Sequence, residues 1–383
     1  MLIPPPLSLY IHIPWCVQKC PYCDFNSHAL KGGIPQHEYI TALIEDLDAD
    51  IAKYQLETDT RPLHSIFIGG GTPSLIEPQY IATLLQQIQH RVRFSDDIEI
   101  TMEANPGTIE AARFAEYRLA GVTRISVGVQ SFQQEKLTRL GRIHGAKEAI
   151  TAAKLAHEIG LNSFNLDLMH GLPDQTVDDA LQDLQQAIDL APPHLSWYQL
   201  TIEPNTLFYS KPPVLPDDDA LWDIFEKGHQ MLAAEGYEQY EISGYSKRGF
   251  QCQHNLNYWR FGDYLGIGCG AHGKLSFSDG KIIRTTKVKH PKGYLNLLKP
   301  YLDLESSVEE SDRPFEFFMN RFRLLESCPK HEFTERTGLD LSAIQKPIKE
   351  ALERKFILDE GDSWRLTEKG KLFLNDLLEI FEI

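Results

Sequence analysis

LSLYIHIPWCVQKCPYCDF, residues 7–25, decides how the rest of the chain is read. Its first half is an apolar, β-branched run, and its second half sets Cys16, Cys20 and Cys23 within eight residues. The chain has six cysteines, and the other three, Cys252, Cys269 and Cys328, stand singly. Structural zinc sites take four tetrahedral ligands, usually from paired knuckles, and no second pair follows. Disulfide frameworks belong to small secreted domains, whereas this chain has 383 residues and opens without a charged-then-apolar signal segment. Thiolates also hold iron–sulfur clusters, which normally take four cysteines. Three thiolates on a cluster of four irons leave one iron open, which suits binding a small ligand rather than plain electron transfer.

Composition sets outer bounds. Hydrophobic residues make up 42% and charged residues 24%, ordinary for a globular protein. The length allows one large domain and a smaller one. No apolar run reaches the roughly 18 residues of a membrane helix. Thirty-eight basic against 54 acidic residues give a net charge of −16, which argues against nucleic acid as a partner, because phosphate contacts need a basic face. Unpaired thiols at a cluster motif point to a reducing compartment, so the cytoplasm is expected.

Apolar or β-branched runs recur at 7–13, 65–70, 97–103, 123–129, 164–169 and 195–202. Helix-like stretches lie between them, for example Glu38–Tyr54, Gln79–Val92, Ile109–Leu119, Lys147–Ile159 and Val177–Leu190. Alternating strands and helices mean βα units on a parallel sheet. Six units are too few for a closed eight-stranded barrel. The predicted fold is therefore α/β, an open (β/α)6 partial TIM-like barrel over 1–240. Residues 241–300 read as an extension of it. Residues 301–383 read as a smaller α+β, winged-helix-like domain of amphipathic helices and a hairpin at FILDEGDSWRLT.

In such a sheet chemistry gathers at the C-terminal ends of the strands. Gly69-Gly70-Gly71-Thr72-Pro73 follows the second strand, and its glycines allow bare backbone close to a ligand or simply a tight turn. Glu103 closes the third strand, Gln130 follows the fourth, Arg142 lies twelve residues further on, and Asp167 ends the fifth. A carboxylate can anchor an ammonium or ribose hydroxyls, Gln can bridge hydroxyls, and Arg can grip a carboxylate. Together they outline a pocket.

CxxxCxxC after an apolar run resembles the radical S-adenosylmethionine (SAM) superfamily, in which the open iron chelates the amino and carboxylate groups of SAM. YIHIPWCVQKCPYCDF, GGGTPS, EANP, VQSF with the later Arg142, and DLMHGLP are similar, in order, to the branch of oxygen-independent coproporphyrinogen III oxidases and their relatives. The resemblance implies a [4Fe–4S] cluster on Cys16, Cys20 and Cys23. It also implies SAM contacts from Tyr10, Gly70, Gly71, Thr72, Glu103, Gln130, Arg142 and Asp167. Tyr22, inside the cysteine loop, reads equally as a surface for the adenine or as core packing.

Two departures select among the relatives. The oxidases carry a further cysteine two residues after the third, where this chain has Phe25, and a sizeable arm before the cluster, where Cys16 comes early here. Coproporphyrinogen oxidase activity is therefore not expected. His254-Asn255-Leu256-Asn257-Tyr258-Trp259 instead resembles the HNxxYW pattern of the haem-chaperone (HemW) branch, which binds haem and delivers it to apo-haemoproteins. Haem iron accepts an axial His, aromatic rings suit a flat macrocycle, and Lys247, Arg248 and Arg260 could pair with propionates. His254 is the expected ligand and Cys252 its rival; core aromatics around a satisfied histidine are the plainer alternative. The expected partners are apo-haemoproteins, one of them membrane-associated, a reductant for the cluster, and a second copy in a homodimer. The runner-up is a radical enzyme that cleaves SAM to a 5′-deoxyadenosyl radical and abstracts hydrogen from a porphyrinogen propionate.

Overall fold

The computed structural model describes residues 2–107, 111–296 and 298–382. The expected strands form at Leu7–Ile13 (β1), Leu63–Gly70 (β2), Phe94–Ala104 (β3), Arg124–Gln130 (β4), Ser163–His170 (β5) and His194–Gln199 (β6). Helices Gln36–Tyr54 (α1), Pro78–Gln89 (α2), Phe114–Leu119 (α3), Ala146–Glu158 (α4) and Val177–Asp189 (α5) alternate with them. In the expected helix Ile109–Leu119, Ile109 and Glu110 lie outside the described residues. The sixth strand stops at Gln199, so Leu200–Ile202 leave the sheet.

The later elements complete one large sheet. They are helix Asp218–Ala234 (α6), strands Glu238–Gln239 (β7) and Gly244–Ser246 (β8), and helix Gln253–Trp259 (α7). Strands Asp263–Gly268 (β9), His272–Ser276 (β10), Ile282–Lys287 (β11) and Leu302–Ser307 (β12) follow. The order is β12-β11-β10-β9-β1-β2-β3-β4-β5-β6-β8-β7, with ends that do not pair with each other, so the barrel is open. β9 runs parallel to β1 on the side away from β2, which adds a seventh parallel strand to the six expected. Its sequence, DYLGIG, hides it, because glycines usually weaken a strand. Here a Cβ at Gly266 would run into the His272 carbonyl, so close backbone approach demands the glycine.

The two faces of the sheet differ. Leu9, Ile11, Ile66, Ile68, Met102, Ile125, Val127, Leu166 and Leu168 share one buried core with Leu43, Leu47, Leu84, Ile88 and Leu184 of the covering helices. The alternate positions are polar: Ser8 meets Ser65 at 2.8 Å, Ser126 meets Asp167 at 3.0 Å, and Asn165 meets His194 at 2.6 Å. Strand alternation thus makes a polar concave lumen, and its strand-end mouth is where a ligand can sit.

Beyond the sheet, Arg313–Arg321 (α8), Cys328–Pro329 (β13), Lys330–Thr337 (α9), Gln345–Glu353 (α10), Ile357–Asp359 (β14) and Ser363–Leu366 (β15) give the helix, helix and hairpin order of a winged helix. Phe317, Phe318, Phe333, Trp364 and Phe381 form a second core, joined to the barrel through Leu2, Phe261 and Ile282.

Candidate functional site

The cysteine loop is pinned at both ends. Trp15–Cys16 pairs with His28–Ala29, and the Gly71 and Thr72 N–H groups donate to the Ile13 and Trp15 carbonyls at 2.7 and 2.8 Å. Further round, the Phe208 N–H donates to the Pro21 carbonyl at 3.0 Å, and Asn26 donates to the Cys269 and Lys289 carbonyls at 2.9 Å each. The loop therefore holds Cys16, Cys20 and Cys23, all free and half-buried, at the edge of a cavity of about 520 Å³. Burial raises the Cys16 and Cys23 thiols. Arg142 Nη1 lies 3.7 Å from Cys20 Sγ, placing a fixed cation beside a prospective thiolate.

The cavity gathers most of the expected residues: Tyr22, Gly70, Gly71, Thr72, Glu103, Gln130, Arg142 and Asp167 all line it. The glycines serve packing as well as ligand access. Gly70 has φ +112°, a Cβ on it would lie 2.5 Å from the His12 ring, and one on Gly71 would lie 2.6 Å from the Trp15 carbonyl oxygen. The Gly70 N–H donates to Glu103 Oε2 at 3.0 Å. Burial, with Asp167 adding its negative field, pushes the Glu103 carboxyl up to about 8. Burial also raises Asp167, against the hydrogen bonds of Ser126 (3.0 Å) and Asn165 (2.8 Å). Arg142 Nη2 donates to Asn105 Oδ1 and the Gly128 carbonyl, both at 2.8 Å, while its buried Nε has no partner. Gln130, at φ +70°, accepts from the Tyr198 hydroxyl at 2.9 Å. Tyr22 packs near Phe208, with ring centroids 6.4 Å apart.

Tyr10 and His254 lie elsewhere. Tyr10 is not on the cavity wall; its hydroxyl meets His12 Nδ1 at 2.9 Å and its ring stacks on Phe67. His254 is 2% exposed, on α7, which lies across the polar lumen. Its Nδ1 meets Ser65 Oγ at 2.9 Å, and its Nε2 is buried without a partner. Burial lowers it to about 3. The Gln253 and His254 N–H groups donate to Glu99 at 3.1 and 3.2 Å, and Asn257 donates to Ser8 Oγ at 2.9 Å. Cys252 lies 3.4 Å from Glu99 Oε1, its thiol pushed up to about 12 by burial. The Tyr258 and Tyr264 rings pack tilted against each other, with centroids 4.2 Å apart. Of the flanking cations, Arg260 is held by Glu326 at 2.9 and 2.8 Å and Lys247 sits 4.0 Å over the Tyr237 ring, while Arg248 is exposed.

Sequence reasoning missed Asn105, Ser126, Ser196 and Tyr198, which also line the cavity, as do Asn255 and Trp259 of HNxxYW. Asn105 could have been found, because it sits two residues after Glu103 in the same motif. Trp259 was read as a haem surface; it faces the cavity with its indole N–H buried and unpartnered and the Arg323 guanidinium 4.9 Å over its ring.

The model of the radical SAM superfamily matches residues 10–187, and that of the HemN C-terminal domain matches 308–373. Over 377 residues, 98% of this chain and of each relative, the sequence is 64% identical to the heme chaperone HemW of Haemophilus influenzae and equally to that of Escherichia coli. The chain belongs to the HemW family. The Bacillus subtilis heme chaperone HemW is 34% identical over 98% of both chains. The fold matches that of the Escherichia coli coproporphyrinogen III oxidase HemN, a radical SAM enzyme, with a TM-score of 0.82 over 99% of this chain and 90% of that one. At 21% identity that match speaks for the architecture alone.

The residues present fit the cluster that a radical SAM family implies. Three free thiols face one cavity, and among the described residues no three His, Cys, Asp or Glu side chains close on a single metal ion. Among those residues no helix is long and apolar enough to cross a membrane.

Proposed function

We propose that this protein binds a [4Fe–4S] cluster, SAM and haem, and transfers haem to apo-haemoproteins in the cytoplasm. The observation that carries the reading is the convergence of Cys16, Cys20 and Cys23 with Glu103, Arg142 and Asp167 on one cavity at the strand ends. Thiolates of the three cysteines would hold three irons, leaving the fourth to chelate the methionine end of SAM. Arg142 is placed to meet a carboxylate, and Glu103 and Asp167 to meet an ammonium or ribose hydroxyls. His254 Nε2 remains the proposed axial ligand, supported by its being a buried ring nitrogen without a partner. A flat macrocycle can reach it only if α7 leaves the lumen.

Haem transfer and the HemW relatives' printed role agree, and we extend that role here to a homodimer, a reductant for the cluster and a membrane-associated recipient. The partition into 1–240, 241–300 and 301–383 is proposed on the same footing, supported by the two cores. Anaerobic reconstitution followed by parallel assays tests the reading. Haem should pass to an apo-haemoprotein, and coproporphyrinogen III should persist. Decarboxylated product formed at about one per second or faster would replace the chaperone by an enzyme.

A further inference from the structure

A second cavity, of about 410 Å³, lies on the other side of α7 from the first. The helix partitions the two: Asn255 and Trp259 face the strand-end cavity, whereas Gln253, Asn257 and Arg260 face the second. The C-terminal domain closes it with Arg321, Arg336, Glu326 and Glu332.

The charges in this cavity do not balance. Glu326 takes both arms of Arg260, and Glu332 takes Arg321 Nε at 2.8 Å. Arg321 Nη2 donates to the Ser327 carbonyl at 2.7 Å and pairs with Glu326 Oε1 at 3.1 Å. Arg321 is 1% exposed, yet its Nη1 has no partner. Among the described residues Arg336 makes no hydrogen bond or ion pair, its Nε is buried and unpartnered, and burial lowers its guanidinium. Among the lining side chains three guanidinium groups face two carboxylates, with Asp263 and Glu335 acting on Arg336 from outside the lining, and N–H donors on two of the guanidinium side chains are unused. A guanidinium so placed is costly unless an anion meets it.

We propose that this cavity binds a carboxylate, whose oxygens accept from Arg321 Nη1 and Arg336. The unused planar guanidinium donors match the two oxygens of a carboxylate. The carboxylate has two sources: a free small acid, or a haem propionate presented from this side of α7, the latter resting on the proposed function.

Calorimetric titration of the full chain with sodium succinate, against sodium chloride at equal ionic strength, tests the site without any haem. Binding should saturate, Arg336→Gln should weaken it about tenfold or more, and the exposed Lys349→Gln should leave it unchanged. Arg336 makes no hydrogen bond or ion pair among the described residues, so its replacement should keep the thermal midpoint, which separates lost binding from lost structure. Haem that displaces succinate, with haem dimethyl ester failing to do so, identifies the ligand as a propionate; succinate undisturbed by haem identifies a free acid. Succinate that does not saturate, or binds Arg336→Gln as it binds the unaltered chain, overturns the site. Inorganic phosphate binding where succinate does not overturns the carboxylate class.

Discussion

Glu103 offers a quantitative test of the strand-end cavity. With its carboxyl pushed up to about 8, it is mostly neutral at pH 7 before ligand binds. At that pH about nine molecules in ten carry the proton. SAM brings a sulfonium and an ammonium, and the field of a cation within a few ångströms favours the ionised carboxylate. If Glu103 ionises in the complex, binding at pH 7 should release about 0.9 proton. Removing that proton costs about 1.4 kcal/mol at pH 7 and about 2.7 kcal/mol at pH 6, and almost nothing above pH 9. SAM affinity should therefore fall about tenfold for each pH unit below 8 and flatten above it.

Titration calorimetry in buffers of different ionisation enthalpy counts the protons directly, and Glu103→Gln is the control. Gln keeps an oxygen for the Gly70 N–H but cannot ionise, so the variant should bind SAM weakly, release no proton and show a flat pH profile. The free protein gives the matching sign. A carboxyl raised from its unfolded value to about 8 makes the folded state lose stability as pH climbs from about 4.5 to 8. Glu103→Gln should remove that part of the decline. Proton-neutral SAM binding with an affinity level between pH 6 and 8 would refute the assignment of Glu103 to a cationic group.

Three other outcomes are expected. Cys16→Ala, Cys20→Ala or Cys23→Ala should each abolish the iron–sulfur absorption of the reconstituted protein, whereas Cys252→Ala, Cys269→Ala and Cys328→Ala should keep it; full iron and sulfide in Cys20→Ala would remove the cluster from this loop. Lys287→Met should destabilise the fold by about 3–5 kcal/mol in denaturant unfolding, because it leaves Asp46 and Asp50, each 2.6 Å from Lys287 Nζ, as uncompensated buried carboxylates; an unchanged midpoint would show that they are protonated in the variant at no cost. His254→Ala should alter the Soret band of added haem while leaving cluster content and SAM affinity intact; if His254→Ala combined with Cys252→Ala also leaves the band unchanged, the ligand lies elsewhere.

The strands and the cysteine loop were legible because their signals are local. Alternation of β-branched runs with helix-length spacers gives βα units, and three close thiols mark a loop for metal or cluster chemistry. Glu103, Gln130, Arg142 and Asp167 were legible because strand ends are where a parallel sheet puts its ligand. β9 was not, since Gly266 answers the His272 carbonyl of β10 and Gly268 the His12 backbone of β1, which is far away in sequence. The role of α7 was hidden for a related reason. HNxxYW reads as a haem-binding motif or as core aromatics around a histidine, and nothing along the chain shows that Ser8, Ser65 and Glu99, far away in sequence, turn its polar side chains and N-terminal N–H groups inward.

That burial carries a consequence for haem. The Ser65–His254 bond, the two N–H groups on Glu99, and the Asn257 bonds to Ser8 and the Asp263 carbonyl all hold α7 in the lumen. At about 1 kcal/mol net for each of these five bonds, undocking costs on the order of 5 kcal/mol, so about one molecule in five thousand would present His254 at any moment. Haem affinity through that ring is reduced by the same factor, unless something else favours the undocked helix. Asn255 and Trp259 put the same helix on the wall of the strand-end cavity. A ligand there that prefers α7 undocked raises haem affinity by the ratio of its own affinities for the two states, and one that prefers it docked lowers haem affinity likewise. On the proposed function, SAM that binds the two states unequally would change haem affinity without being cleaved, and a haem affinity that is the same with and without SAM would refute the coupling.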